Sequence, residues 1–184
     1  MNVCVLTHTF PRYTGEPVAP FMEDFCRGLS EEGHTVTLLA PFDPSFTFTT
    51  KHYCIKQYRY IIPDSLHQLG YSQTMKNDQY LKPLVFLLSP FMIFFCFWSL
   101  LTLVKREKID VISAHWIVPN GFIAALVSKI TGVPLIITVP GSDMYLAKTN
   151  KLFRWMAAVG AVQASVVASN SQRYLEEFPK FGIT

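Results

Sequence analysis

Short apolar runs and stretches of three- and four-residue hydrophobic spacing alternate along most of this chain. Asn2 to Thr7, "NVCVLT", has the length and β-branched content of a buried strand. After a loop holding Pro11, Gly15 and Pro17, apolar residues recur at Val18, Phe21, Met22, Phe25, Cys26 and Leu29. Glu23, Asp24, Arg27 and Ser30 fall opposite them, which predicts an amphipathic helix of about four turns. Gly33 ends it, and Thr35 to Ala40, "TVTLLA", is a second strand. Strand, helix and strand in succession predict a βαβ unit with a right-handed connection.

Pro41 to Pro83 is less regular: "HYCIKQYRYII" reads as a strand of unclear register and "SLHQLGYSQTMKND" as a loop. Periodicity returns after a long apolar segment. Asp110 to Ala114 is a strand, followed by a helix from Gly121 to Thr131 that Asn120 is placed to cap. Pro134 to Val139 is the next strand, Asn150 to Gly160 a helix, and Ser165 to Ser169 another strand. A last helix carries Tyr174, Leu175 and Phe178. Strands without clean alternation, separated by helices, predict a parallel sheet covered on both faces. The expected fold is α/β, a Rossmann-like doubly wound parallel sheet over residues 1–184.

Leu84 to Val104 carries no charge. As one helix it is about 31 Å long, close to the ~30 Å hydrocarbon thickness of a bilayer. Ser89 and Pro90 resemble an N-cap and first helical residue, which shortens the expected helix to about 22 Å. The strands before and after the segment read as one sheet, and a single crossing would put them on opposite sides of a membrane. Cys96, Ser99 and Thr102 form a face of smaller side chains suited to packing on a sheet. Phe91, Phe94, Phe95, Phe97 and Trp98 then need another partner. Three readings stay open: a core helix, a helix in the membrane interface, and a true span.

Charge sharpens this picture. The net charge is +3, too small to indicate nucleic acid. Between Pro44 and Gly141, however, nine lysines and arginines face four acids, a basic middle that suits an anionic membrane surface or a solvated face. Cys4, Cys26, Cys54 and Cys96 are widely spaced and form no metal-ligand pattern. They read as buried thiols of a reducing compartment. The opening "MNVCVLTHTF" reads as a strand rather than a secretion signal.

Ligands of open parallel sheets bind beyond the carboxyl ends of the strands. After the first strand come His8, Arg12, Tyr13, Thr14, Gly15 and Glu16; after "DVISA", His115, Trp116 and Asn120; after "PLIITV", Pro140, Gly141, Ser142, Asp143 and Tyr145. Asn170 and Ser171 follow the fourth. Each residue has a structural alternative: a histidine bonding a backbone carbonyl, an Asx turn in "PGSDMY", glycines serving only as turns. Together they form a candidate rim. No GxGxxG follows the first strand, and neither GxxxxGK[ST] nor GxSxG occurs.

Four stretches resemble the N-terminal domain of family 4 glycosyltransferases, which have the GT-B fold. They are "FPRYTGEPVAPFMEDFCRGLSEEGHTVTLLAP", "IDVISAHWIVPNG", "GVPLIITVPGSDMY" and "ASVVASNSQRYLEEFPKFGI". The resemblance implies an acceptor-side lobe, facing a C-terminal donor-binding domain or separate subunit that this chain lacks. It implies a nucleotide-sugar donor as co-substrate, no metal cofactor, and a glycan or lipid-linked acceptor. His115 and Asp143 are then the expected catalytic pair. His8, Arg12, Tyr13, Trp116, Asn120, Ser142 and Tyr145 are expected to hold the acceptor, while Thr14, Gly15, Glu16 and Gly141 approach the donor phosphates or sugar. Two departures stand out: Gly15 is followed by Glu16 where the family often has a second glycine, and Pro140 stands where it often has a histidine. The expected location is the cytoplasmic face of a membrane, touched through Leu84–Val104. The competing expectation is a non-catalytic membrane-associated module of the same fold.

Overall fold

Alternation within the first strand sets up two cores. In the computed structural model, which describes residues 1–71, 75–77, 80–81, 83–141 and 147–181, β1 (Asn2–Leu6) sends Val3 and Val5 to one face and Cys4 and Leu6 to the other. Val3 and Val5 join a cluster with Met22 and Cys26 of helix α1 (Phe21–Glu31). Cys4 and Leu6 join a larger cluster containing Cys96, Leu100, Ile123 and Met156.

β2 (Thr35–Pro41) and β3 (Cys54–Tyr58) extend the sheet on one side of β1. A short antiparallel pair, β4 (Met75–Asn77) and β5 (Tyr80–Leu81), leads to α2 (Pro83–Glu107). β6 (Val111–His115), α3 (Phe122–Thr131), β7 (Leu135–Val139), α4 (Lys151–Gln163), β8 (Val166–Ser169) and α5 (Gln172–Glu177) follow. The large sheet has the order β3-β2-β1-β6-β7-β8, with every neighbouring pair parallel. This is a doubly wound parallel sheet, the class expected from the sequence, and its order puts a reversal of winding between β1 and β6.

Gly132, at φ +74°, ends α3 in the left-handed conformation. Asn150 caps α4 by accepting from the Leu152 amide at 2.9 Å. Asn120 does not cap α3. A π-helical turn at Ile117–Gly121 precedes that helix, and its N-cap position falls on Gly121. The helix begins later than the apolar spacing indicated, which frees the Asn120 side chain for other partners.

α2 also differs from expectation, because Pro90 lies inside it rather than at its start. Pro83 opens the helix instead, where a missing N–H costs nothing. Pro90 is exposed, so the broken hydrogen bond faces outward, while Leu88 and Met92 on either side are buried and hold the helix together. Cys96 packs inward, but Ser99 is only half-buried and Thr102 is exposed. The thiols of Cys4, Cys26 and Cys96 are buried as expected, whereas Cys54 is exposed at the start of β3.

Among the described residues, Phe86–Glu107 is long and apolar enough to cross a membrane, with a mean hydropathy of 2.1. Yet β1 pairs directly with β6 (Val3 with Val111), and α2 lies between them in sequence. A crossing at α2 would tear that pair apart. The spanning alternative therefore fails for this fold.

Candidate functional site

Chain connections leave β1 and β6 in opposite directions, and the carboxyl ends of these two strands are where doubly wound folds place their ligand crevice. β1 delivers Thr7 and His8. The Thr7 amide donates to the Leu39 carbonyl at 3.1 Å, and its hydroxyl both donates to the Thr9 carbonyl (2.7 Å) and accepts from the Thr9 amide (3.1 Å). That clasp turns the chain outward at His8. β6 delivers His115 as its last residue and Trp116 just beyond.

Trp116 has φ +67°, a region bulky residues rarely occupy. Its amide donates to the Thr138 carbonyl at 2.9 Å and its carbonyl accepts from the Gly121 amide at 3.0 Å. With the backbone pinned, the indole lies 4.6 Å from the His8 ring and 6.0 Å from Phe21 at the start of α1. His8 keeps part of its surface open, and Trp116 forms its wall.

Asn120 is fully buried and joins the two strand ends. Its side-chain nitrogen donates to the His115 carbonyl at 2.8 Å and stands 3.1 Å from Nδ1 of His8. A carbonyl accepts only from N–H, so the amide orientation is settled and its second hydrogen faces His8. Nδ1 of His8 is therefore the acceptor, and Nε2 carries the proton. Burial holds the His8 pKa below its ordinary value, so the ring is neutral at pH 7.

His115 is placed differently from the sequence expectation. Residues 113 and 115 share the sheet face of Val5, and that face is roofed by α1. The His115 ring is 2% exposed and meets Phe25 edge-on at 4.6 Å. Neither ring nitrogen has a hydrogen-bond partner, and burial lowers the pKa to about 4. In this packing His115 is sealed from any ligand in the crevice.

The loop after β1 is held from within. Glu16, 3% exposed, accepts from the Arg12 amide at 2.5 Å and from Arg12 Nε at 2.8 Å, and also pairs with Nη2. These bonds lower the Glu16 pKa and raise that of Arg12. Asp43 stands 3.7 Å from Arg12 on the other side. Glu16 and Arg12 thus brace the loop instead of facing a ligand. Between them Tyr13–Glu16 forms a β-turn, closed by the Glu16 amide on the Tyr13 carbonyl at 3.1 Å, with Gly15 at φ +86° in the third position. Tyr13, Thr14 and Gly15 are exposed at its tip, and a Cβ on Gly15 would meet nothing within 4 Å.

A second loop presses on the same strand end. Tyr71 donates its amide to the His8 carbonyl at 3.1 Å and its hydroxyl to the Pro41 carbonyl at 2.7 Å. Gly70, at φ +99°, passes so close that a Cβ there would lie 2.5 Å from the His8 oxygen. This contact arises in a stretch whose sequence signals only an irregular loop.

At the end of β7, Gly141 has φ +129°, and a Cβ would lie 2.5 Å from the Tyr174 ring of α5. Tyr174 is thus a neighbour of the rim that the sequence reading placed only in a terminal helix. Ser142, Asp143 and Tyr145 lie outside the described residues. The structure brings His8, Trp116 and Asn120 together and sets the Tyr13–Gly15 tip on the loop leaving the same strand. A hollow of 320 Å³, lined by residues including Phe48, Tyr53 and Gln57, opens over β3, two strands away from the crevice.

The Glycosyltransferase Family 4 model matches residues 18–184. No curated protein sequence matches the chain. Among solved structures it is similar to a sucrose-phosphate synthase from Thermosynechococcus elongatus, at TM-score 0.69 and 10% identity, covering 98% of this chain and 45% of that one. It is also similar to UGT73P12 of Glycyrrhiza uralensis, complexed with glycyrrhetinic acid 3-O-monoglucuronide, at TM-score 0.61 and 10% identity, with coverages of 98% and 47%. A putative UDP-N-acetylglucosamine 2-epimerase from Listeria monocytogenes aligns at TM-score 0.57 and 14% identity, covering 99% and 42%. The chain spans less than half the length of each of these structures. At such identities the likeness establishes a shared fold.

Proposed function

The chain belongs to glycosyltransferase family 4, and we propose that it is the acceptor-binding half of a transferase that takes its sugar from a nucleotide-sugar donor. The observation that carries this reading is the His8–Asn120 pair at the reversal between β1 and β6. A neutral imidazole with Nε2–H turned to the open side is a hydrogen-bond donor for an acceptor hydroxyl or ring oxygen. Trp116 supplies a flat apolar wall, the usual complement of a few fixed polar groups in a binding cleft.

In the reaction, an acceptor hydroxyl oxygen bonds to the anomeric carbon as the carbon–oxygen bond to the nucleotide phosphate breaks. The bonding electrons leave on the phosphate oxygen. The hydroxyl proton passes to a base at the rim and from there to solvent. Asp143 is the candidate base; His115, sealed under α1, takes no direct part in the transfer. The exposed Tyr13–Gly15 tip offers backbone N–H groups toward the donor from the acceptor side. A donor-binding domain or subunit completes the site, because transfer requires both substrates held together. No metal or other cofactor is assigned. The acceptor is a glycan, a lipid-linked sugar or another membrane-proximal molecule, handled on the cytoplasmic face; three buried free thiols favour such a reducing location.

The test is transfer of label from a panel of nucleotide sugars, by this chain alone and by it together with its donor-binding part. Transfer by the combination only, reduced roughly tenfold in His8→Ala, the scale of one lost hydrogen bond, supports the proposal. Appreciable transfer by the chain alone overturns the division into halves.

A second reading, a non-catalytic module of the same fold, draws on the sealed His115 ring and on Pro140, which has no side-chain hydrogen bond to offer. Full activity in a complete enzyme carrying both His8→Ala and Asp143→Ala would favour it.

A further inference from the structure

We propose that α2 lies obliquely in the headgroup region of an anionic bilayer, with its first turns deepest, so that the crevice opens onto the membrane surface. The docking rests on α2 alone; the consequence for the acceptor rests on the function proposed above.

α2 is apolar on both sides. Leu88, Met92, Cys96 and Leu100 are buried in the core. Phe86, Leu87, Phe91, Phe94, Phe95 and Trp98 point away from it, and are 41–66% exposed. Trp98 meets Phe94 and Phe97 edge-on, with ring centroids 6.3 and 5.7 Å apart, so the aromatic rings of the outer face are contiguous.

The order of side chains along that face selects the occupant. At about 100° per residue, Leu87, Phe94, Trp98 and Lys105 fall within roughly 20° of one line. Reading toward the carboxyl end, the stripe passes from Leu and Phe to Trp98 and then to the exposed Lys105, with the exposed Thr102 and Arg106 to one side of it. Hydrocarbon, indole and cation follow in the sequence in which a bilayer presents acyl chains, glycerol region and phosphates. A protein partner would not require this gradient, and lysine is depleted at the centre of protein interfaces. The body of the domain takes the place of the polar face that an isolated interfacial helix needs.

The anchoring of α2 decides which end of the domain goes down. Glu107 accepts from the Thr37 hydroxyl at 3.0 Å and pairs with Lys56, and its carbonyl accepts from Asn2 at 3.3 Å. Asn2 opens β1 and Thr37 lies in the first half of β2, so the carboxyl end of α2 sits at the amino-terminal side of the sheet and α2 runs antiparallel to the strands. Its 25 residues span about 37 Å, against about 17 Å for the five of β1. The apolar first turns therefore reach the level of the carboxyl ends, where His8 and Trp116 stand. An acceptor keeping its apolar part in the bilayer can then lift its sugar or hydroxyl end into the crevice.

The experiment is co-sedimentation of the chain with phosphatidylcholine vesicles, with and without phosphatidylglycerol, for wild type, Phe94→Gln/Trp98→Gln and Lys105→Glu/Arg106→Glu. The substituted residues are exposed, and urea midpoints verify that each variant is folded. Wild type is expected to bind the anionic vesicles, each double variant at least roughly tenfold more weakly, and brominated acyl chains to quench fluorescence that Trp98→Phe lacks. Equal binding by the Phe94/Trp98 variant overturns the proposal. So does a wild-type dimer that this variant abolishes without any vesicle binding, since the occupant is then a second copy. None of these readouts uses activity, so failure of the sugar-transfer reading leaves them intact. Vesicle binding with no preference for membrane-presented acceptors overturns only the opening of the crevice onto the bilayer.

Discussion

The side-chain nitrogen of Asn120 bridges two strand ends, 2.8 Å from the carbonyl of His115 and 3.1 Å from Nδ1 of His8. One amide group thereby decides what the open histidine can do. By occupying Nδ1 it leaves only Nε2–H for a ligand, and the depressed pKa keeps that group from becoming a cation. His8 is fixed as a donor, suited to orienting a ligand oxygen rather than to taking a proton.

Asn120→Ala removes both bonds. At neutral pH, two-bond ¹H–¹⁵N spectra of wild type are expected to give His8 as the Nε2–H form, and the variant a mixture of tautomers. The buried His115 carbonyl loses its side-chain donor, so a stability loss of about 1–3 kcal/mol accompanies the change. An Nδ1–H tautomer in wild type would contradict the arrangement.

His115 makes stability depend on pH. Its folded pKa is lowered, from 6.5 to about 4. The unfolded chain therefore binds the proton first, and the contribution is complete above pH 6.5. It declines as pH falls from 6.5 to about 4 and levels off below. The span corresponds to a loss on the order of 3 kcal/mol. His8 and His67 are shifted in the same direction, so the measurement is a difference. Urea unfolding of His115→Leu from pH 7.5 to 4 is expected to show a slope shallower by about one proton than that of wild type.

The sheet was legible because buried parallel strands announce themselves as β-branched runs, and "NVCVLT" and "TVTLLA" pair residue for residue as β1 and β2. That His8, His115 and Trp116 stand at strand ends was legible too, since each follows a buried run. Their directions were not. Whether His115 faces the crevice or the underside of α1 depends on the parity of β6 and on Phe25, ninety positions earlier in the chain. Asn120 read as a helix cap because local spacing cannot reveal a π-helical turn that delays the helix. Pro90 read as a helix start because burial on both sides of it is a tertiary fact. The pressure of Gly70 on His8 comes from a loop with no periodic signal at all.

Glu16 supplies an acid-sensitive brace of opposite origin. Arg12 lowers its pKa, so its stabilisation is present above the ordinary carboxylate value and is lost as pH falls through the folded one. Glu16→Gln is expected to cost about 1.5–3 kcal/mol at pH 7, the scale of hydrogen bonds to charged groups. The gap between variant and wild type should close as pH falls below the ordinary carboxylate range. A pH-independent gap would show that the carboxylate charge is not what braces the loop.

Gly15 and Gly70 separate conformational strain from collision. Both have positive φ, +86° and +99°. An alanine Cβ enters open space at Gly15 but approaches the His8 carbonyl oxygen to 2.5 Å at Gly70. Gly15→Ala is expected to cost about 1–2 kcal/mol, the penalty of the left-handed region alone. Gly70→Ala should cost more, about 3 kcal/mol or above, because backbone must move and the clasp on His8 opens with it. Thermal unfolding of the two variants tests the ordering. In a complete transferase the same pair gives a sharper reading. Gly15→Ala should weaken donor binding with the His8 tautomer intact, whereas Gly70→Ala should disturb the tautomer first. Equal effects on both readouts would mean that the turn tip and the histidine are not separate parts of the rim.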